Sequence, residues 1–327
     1  MMLKYVILIL FFLRVILVQA GQESPIFSIK ASNDSASSSI NMRLYTLDYQ
    51  NHRRNILWPY ENSENENYDF GIAVLQAEGR TTEHTFKGTQ ISGMLGKKFS
   101  SNNYISVKTG THILENKAEE NNVISYRLIT GEINYQNKVN NFETRAQYLR
   151  DFMYKNMFLP AGVEDGLVES TIQIGTKWKF AQFGEYNMNV KHVIINDRNH
   201  LTSIQTSINL KHDFSYASLW AGLGADYGRS RFLAANYPSP QYVFGVGPNI
   251  GVSLIPYDNM SLTLAHGETT LSDNSKTKAT DRTSSINWEL GSRNSTQLSL
   301  TYIRMESETK DDFWYDDQLN VSINHSL

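Results

Sequence analysis

The sequence predicts an all-β protein: a transmembrane, antiparallel up-and-down β-barrel of about sixteen strands, with fourteen as the alternative. Three observations carry this reading. A charged, then apolar, leader precedes a chain of water-soluble composition. Period-two alternation of apolar and polar residues runs through most of the chain beyond that leader. Aromatic side chains gather near the ends of the alternating stretches.

The leader comes first. Met1 to Lys4 make a short basic start, Tyr5 to Leu13 are continuously apolar, and Val18-Gln19-Ala20 offer small side chains at an exit point. That order is a secretory signal peptide over residues 1–20. A spanning helix needs about 20 apolar residues, and Arg14 leaves too few on either side. Residues 21–39, which include SNDSASSS, read as a flexible lead-in, and residues 40–327 as the barrel.

Composition narrows the class further. Mean hydropathy is −0.40, and no later segment is apolar enough for a membrane helix. The formal charge of −3, more negative still without Lys4 and Arg14, excludes a nucleic-acid partner, which would need a basic patch. There are no cysteines. Disulfides, thiolate metal sites, a cysteine nucleophile and a lipidated N-terminal cysteine are therefore excluded. An exported chain of this size without a disulfide belongs to a bacterial envelope.

Alternation then marks the strands. Ile105, Val107 and Ile113 alternate with Ser106, Lys108 and His112. Ile172, Ile174 and Trp178 oppose Gln173, Lys177 and Lys179. Ile204, Ile208 and Leu210 face away from Gln205, Ser207, Asn209 and Lys211. Ile286, Trp288 and Leu290 oppose Asn287 and Glu289, and Leu298, Leu300 and Tyr302 oppose Gln297, Ser299 and Thr301. Noisier stretches lie near 40–49, 68–78, 84–96, 123–136, 141–150, 184–195, 215–227, 241–254 and 259–267. Turn clusters such as SNN at 101–103, NDRN at 196–199 and PYDN at 256–259 break them, as do the polar runs 61–67, 115–122, 271–283 and 306–312.

Alternation reports two faces without saying which is inside, so a soluble sandwich competes with a barrel. Strand units of ~10 residues match the membrane thickness, whereas sandwich strands average ~5–6. Connectors alternate between tight and long, as expected of a barrel with a periplasmic and an outer end. Trp58-Pro-Tyr60, Trp178-Lys-Phe180 and Phe313-Trp-Tyr315 suit lipid–water interfaces. The last residues, QLNVSINHSL, alternate to the end. A closed barrel needs this, because its last strand must pair with its first. The ending is similar to the terminal strand that outer-membrane assembly machinery recognises, with Leu327 in place of the usual aromatic. The expected location is the bacterial outer membrane, with its lipid and the barrel-assembly machinery as partners.

One stretch carries a resemblance. In FLAANYPSPQYVFGVGPNIGVSL, residues 232–254, Tyr237, Pro238, Pro240 and Tyr242 precede a Gly-rich strand. This is similar to a Tyr-x-x-Pro-x-Tyr element in the barrels of exopolysaccharide exporters, the cellulose and poly-N-acetylglucosamine export porins. The resemblance implies sixteen strands and a polysaccharide substrate. Those exporters carry a long periplasmic helical scaffold, so here any scaffold is expected as a separate chain.

No catalytic constellation stands out. His112, His192, His200, His212 and His266 lie on different segments without a serine motif, and His212-Asp213 and Asp311-Asp312 read as solvated loop residues. HGETT at 266–270 has no metal spacing. No enzyme activity and no cofactor are expected. Parity assigns Lys108, Arg127, Glu143, Arg145, Lys177, Lys179, Lys191, Lys211 and Glu289 to the lumen, a wall of both charge signs with a modest basic excess. These charges either act on passing solutes or pair with one another and stiffen the wall. The expectation is a passive pore for hydrophilic solutes and, on the resemblance to the exporters, an exopolysaccharide-export channel. The alternatives are a barrel enzyme acting on lipid or peptide, and a plugged structural or adhesive barrel.

Overall fold

A computed structural model describes residues 26–36, 41–50, 68–81, 84–100, 102–118, 123–153, 163–181, 183–231, 241–257, 259–273, 278–291, 296–309 and 313–326. The leader expected as a signal peptide, Trp58, Tyr60 and the polar run 61–67 lie outside these residues.

The described residues form sixteen strands: β1 (Ile26–Ala36), β2 (Asn41–Gln50), β3 (Tyr68–Arg80), β4 (His84–Ser100), β5 (Asn103–Ala118), β6 (Val123–Val139), β7 (Phe142–Phe152) and β8 (Val168–Ala181), then β9 (Gly184–Ile195), β10 (His200–Asp213), β11 (Ala217–Ser230), β12 (Val243–Tyr257), β13 (Met260–Asp273), β14 (Lys278–Gly291), β15 (Thr296–Thr309) and β16 (Phe313–Ser326). Each is antiparallel to its neighbours in sequence, and the barrel is closed. The seam runs from Ile26 opposite Ser326 to Ala36 opposite Asp316. Among the described residues no helix is long and apolar enough to cross a membrane; strands do the crossing.

The lead-in expected over 21–39 is corrected here. Residues 26–36 form β1, hydrogen-bonded to β16 on one side and β2 on the other. In sequence Phe27, Ile29 and Ala31 alternate with Ser28, Lys30 and Ser32, and backbone pairing carries the polar remainder of the strand into the closed barrel.

Register and burial together fix the two faces. Ile72, Ile91, Leu95, Ile129, Leu223 and Ile250 point outward, with Leu95 71% and Ile129 73% exposed. Ser92, Ser106, Thr130 and Gln136 point inward and are buried. A water-soluble protein would hide the first set and show the second, so this outer face is built for lipid. At the end holding Ile26 and Ser326, Phe99, Phe142, Phe180, Phe183, Phe214 and Tyr216 are all exposed. They form the aromatic girdle of one interface.

That end also has short turns at 102, 140–141, 183 and 214–216, with 51–67 joining β2 to β3 there, whereas 153–167 and 231–242 connect strands at the other. Short turns belong to the periplasm and longer loops to the outside. The described parts of the polar runs at 115–122, 271–283 and 306–312 are strand: β5, β13, β14 and β15 carry them beyond the apolar band.

Above that band the two faces exchange character on one side of the barrel. Met42, Leu75, Ala77, Phe86, Leu114 and Leu128 of β2 to β6 point inward and pack with Phe152 and Val163 in one apolar cluster. Outside them stand Arg43, Glu78, Lys87, Glu115 and Ser125, each opposite the next across neighbouring strands. Water surrounds the wall at this height, so apolar groups turn inward as in a soluble protein.

Candidate lumen site

Residues 163–167, between β7 and β8, fold into the outer end of the barrel and are tied there. Asn116 Nδ2 donates to the carbonyls of Val163 and Glu164 at 3.1 and 3.2 Å. Tyr126 Oη donates to the Glu164 carbonyl at 3.3 Å. Thr81 Oγ1 donates to the Glu164 carboxylate at 2.6 Å. Met153 and Leu167 pack against Val193 and Ile195 of β9 in a second apolar cluster. Together these form an inward cap on the β2–β9 side of the mouth.

Below the cap lies a cavity of about 740 Å³ with two unlike walls. On β6 to β9 it is lined by paired charges and amides. Glu143 accepts from Gln136 Nε2 at 2.7 Å and from Arg145 Nε at 2.8 Å. Lys177 Nζ meets Glu185 at 2.6 Å, and Asn187 Nδ2 donates to the same carboxylate at 2.9 Å. Glu132 accepts from Asn134 and Gln147 at 2.9 and 3.0 Å. On β11 to β13 the lining includes Gly224, Gly247 and Gly267, with Asn249 and Asp226 between them. Gly224 stands directly opposite Gly247. A Cβ on Gly247 would collide with the Glu268 carbonyl of β13, so bare backbone here reflects close strand packing as well as lumen width.

The expected lumen residues divide between the cavity, the rest of the inward face and the periplasmic rim. Glu143, Arg145 and Lys177 line the cavity. Lys108 opposes Glu132, Lys191 opposes Gln173, and Lys179 opposes Glu185, so all three share the inward face. Lys211 pairs with Asp213 at 2.8 Å at the periplasmic rim, where both are exposed. Glu289 faces inward beside Asn287 and Gln297.

Arg127 does not face the lumen. It stands opposite Ile113, on the same outward face as Ile129. The inversion of polarity above the membrane explains the correction: there Leu128 takes the inside and Arg127 the outside. The basic excess is corrected too. Glu132, Glu185, Asp226, Asp281 and Asp316 also face inward and balance the cations. Their sequence signal was opposite parity to neighbours such as Ile133 and Tyr186. Of the family-like element, Tyr237, Pro238 and Pro240 lie outside the described residues, while Tyr242 is exposed just before β12.

Sequence parity did not foresee the buried cluster under the cap. His112 Nδ1 lies 2.7 Å from Asp151 Oδ1, and Gln90 Nε2 reaches the same carboxylate at 3.3 Å. His266 and His192 make hydroxyl contacts on the outward face, to Ser284 and Thr202. Among the described residues no group of three His, Asp or Glu side chains is placed to hold a metal ion.

The class follows from these faces: a closed strand cylinder, apolar outside and polar within, is a bacterial outer-membrane β-barrel, and the chain resides in that membrane. No family model matches the chain, and no curated protein matches it in sequence. Its similarity lies in structure. A bacterial polysaccharide outer membrane secretin aligns with TM-score 0.72 at 10% identity, covering 94% of this chain and 100% of the other. The CymD monoaromatic hydrocarbon channel gives TM-score 0.51 at 9% identity, covering 94% and 89%. CdiB from Acinetobacter baumannii gives 0.50 at 8%, covering 92% of this chain and 60% of that one. Identities this low establish the fold alone.

Proposed function

We propose that this barrel is a passive outer-membrane pore for hydrophilic solutes, and that its solute is a secreted polysaccharide. The observation that carries the reading is the polar cavity beneath the cap. Its Asn, Gln, Ser and Thr side chains offer donors and acceptors to hydroxyl groups. Its cations are held at carboxylates by Arg145–Glu143 and Lys177–Glu185 contacts. Such a wall exchanges weak hydrogen bonds with a moving chain and presents no deep charge well to trap it. The similarity to the polysaccharide secretin supports the same substrate class.

No catalytic step is assigned. Among the described residues the tight Asp–His pair is Asp151 with His112, which is at most 1% exposed and cannot meet a substrate. A plugged barrel is the second reading, favoured by the apolar cluster that holds Val163 inside the mouth.

Reconstitution in a planar bilayer separates the two. The pore gives steady ion conductance that falls reversibly when neutral or amino-sugar oligomers are added. Folded protein with no conductance supports the plug, and conductance indifferent to every sugar oligomer removes the polysaccharide.

A further inference from the structure

The outward wall of β2 to β6 carries a second surface, just above the lipid-facing band. Arg43, Arg80, Lys87, Lys117 and Arg127 are all exposed there, against two acids, Glu78 and Glu115. Ion pairing within the wall does not consume these cations: none of the five makes a salt bridge to another described residue. At the same height on β13 to β16 the arrangement differs. Arg282 is held by Glu268 at 3.2 Å and Glu308 at 2.9 Å, and Arg304 by Glu306 at 2.6 Å.

The basic wall is also concave. Arg43, Arg80, Lys87 and Lys117 line a groove of about 580 Å³. Its height is set by the strands. Lys87 lies four residues beyond the lipid-facing Ile91, roughly 13 Å along the strand. Arg127 lies two residues beyond Ile129. Acyl chains against Ile91 and Ile129 would bring their headgroup to these cations, which sit on adjacent strands about 4.8 Å apart.

We propose that this groove binds a phosphorylated glycolipid of the outer leaflet, its acyl chains on the apolar band and its phosphates between the cations. The attraction needs both parts. Each Lys or Arg near a phosphate adds a modest, salt-screened increment, and the acyl chains fix the height at which the phosphates arrive.

Native mass spectrometry of the folded barrel in detergent tests this with four probes: bisphosphorylated lipid A, dephosphorylated lipid A, the deacylated phosphorylated headgroup, and inorganic phosphate. The expected result is retention of bisphosphorylated lipid A alone. Replacing Lys87, Lys117 and Arg127 with Gln weakens that retention by at least about tenfold, while Arg282→Gln with Arg304→Gln leaves it unchanged. Arg127→Lys with Lys87→Arg, which keeps the charge, restores wild-type retention and controls for folding. Equal retention of the dephosphorylated lipid, or of the deacylated headgroup, overturns the proposal. So does a Gln variant that folds, by its gel mobility before boiling, and binds as the wild type does.

Discussion

His112 and Asp151 are locked together inside the barrel wall, Nδ1 to Oδ1 at 2.7 Å, with side chains 0% and 1% exposed. Phe152 packs edge-on against the imidazole, ring centroids 5.0 Å apart. The pair joins β5 to β7 directly beneath the inward cap. It has the form of a general-base dyad without access to anything it could act on. Its work is structural, and it leaves a measurable signature.

Asp151→Ala removes the acceptor from a ring that water cannot reach. An orphaned buried polar group costs about 1–3 kcal/mol, so the variant unfolds at lower denaturant in lipid vesicles. Asp151→Asn keeps an acceptor and falls between it and the wild type. Tryptophan fluorescence against urea reads both.

Asn116→Ala cuts both hydrogen bonds that hold the carbonyls of Val163 and Glu164. The cap then loosens at its anchor on β5. Single-channel recording is expected to show larger and noisier conductance than the wild type, with the strand framework unchanged by circular dichroism.

Arg145→Ala leaves Glu143 without its cation in the cavity wall. The lumen gains a negative charge in a confined space, and the pore becomes more cation-selective, by about two- to fivefold in permeability ratio. Reversal potentials in a potassium chloride gradient measure this, and Glu143→Gln shifts them the opposite way.

Gly251 and Gly93 form a matched pair. A Cβ on Gly251 would overlap the Trp220 indole across the β11–β12 ladder, whereas nothing lies within 4 Å of one on Gly93. Gly251→Ala is expected to cost about 1–3 kcal/mol through overpacking, and Gly93→Ala to change stability by less than about 0.5 kcal/mol. The fraction migrating as folded barrel on an unboiled gel compares them.

Much of the barrel was legible because lipid and lumen impose opposite demands on alternate residues. The rows Ile172–Ile174, Ile204–Ile208 and Leu298–Leu300 declared β8, β10 and β15 without ambiguity. β1 was missed although Phe27, Ile29 and Ala31 alternate with Ser28, Lys30 and Ser32, because the alternation is short and gives way to the polar SNDSA, which pairs through its backbone. The outer third of β2 to β6 was not legible either. There the membrane ends and the polar-inside rule reverses: parity counted from Ile129 puts Arg127 outward, and only its charge pointed to the lumen. The inward cap escaped for a different reason. Val163 and Leu167 are ordinary loop residues in sequence, and their burial follows from long-range packing onto Phe86, Leu114 and Val193.

The cysteine-free chain makes the most direct test simple. Nitroxide labels at single introduced cysteines replacing Leu95, Ile133, Gln205 and Asn249 report, in reconstituted protein, collisions with membrane-dissolved oxygen or a water-soluble nickel chelate. Labels at Leu95 and Ile133 are expected to favour oxygen, those at Gln205 and Asn249 the chelate, and one at Arg127 the chelate despite its outward position. Chelate-accessible labels at Leu95 and Ile133, with Gln205 and Asn249 shielded, would contradict the assignment of faces on which the pore depends.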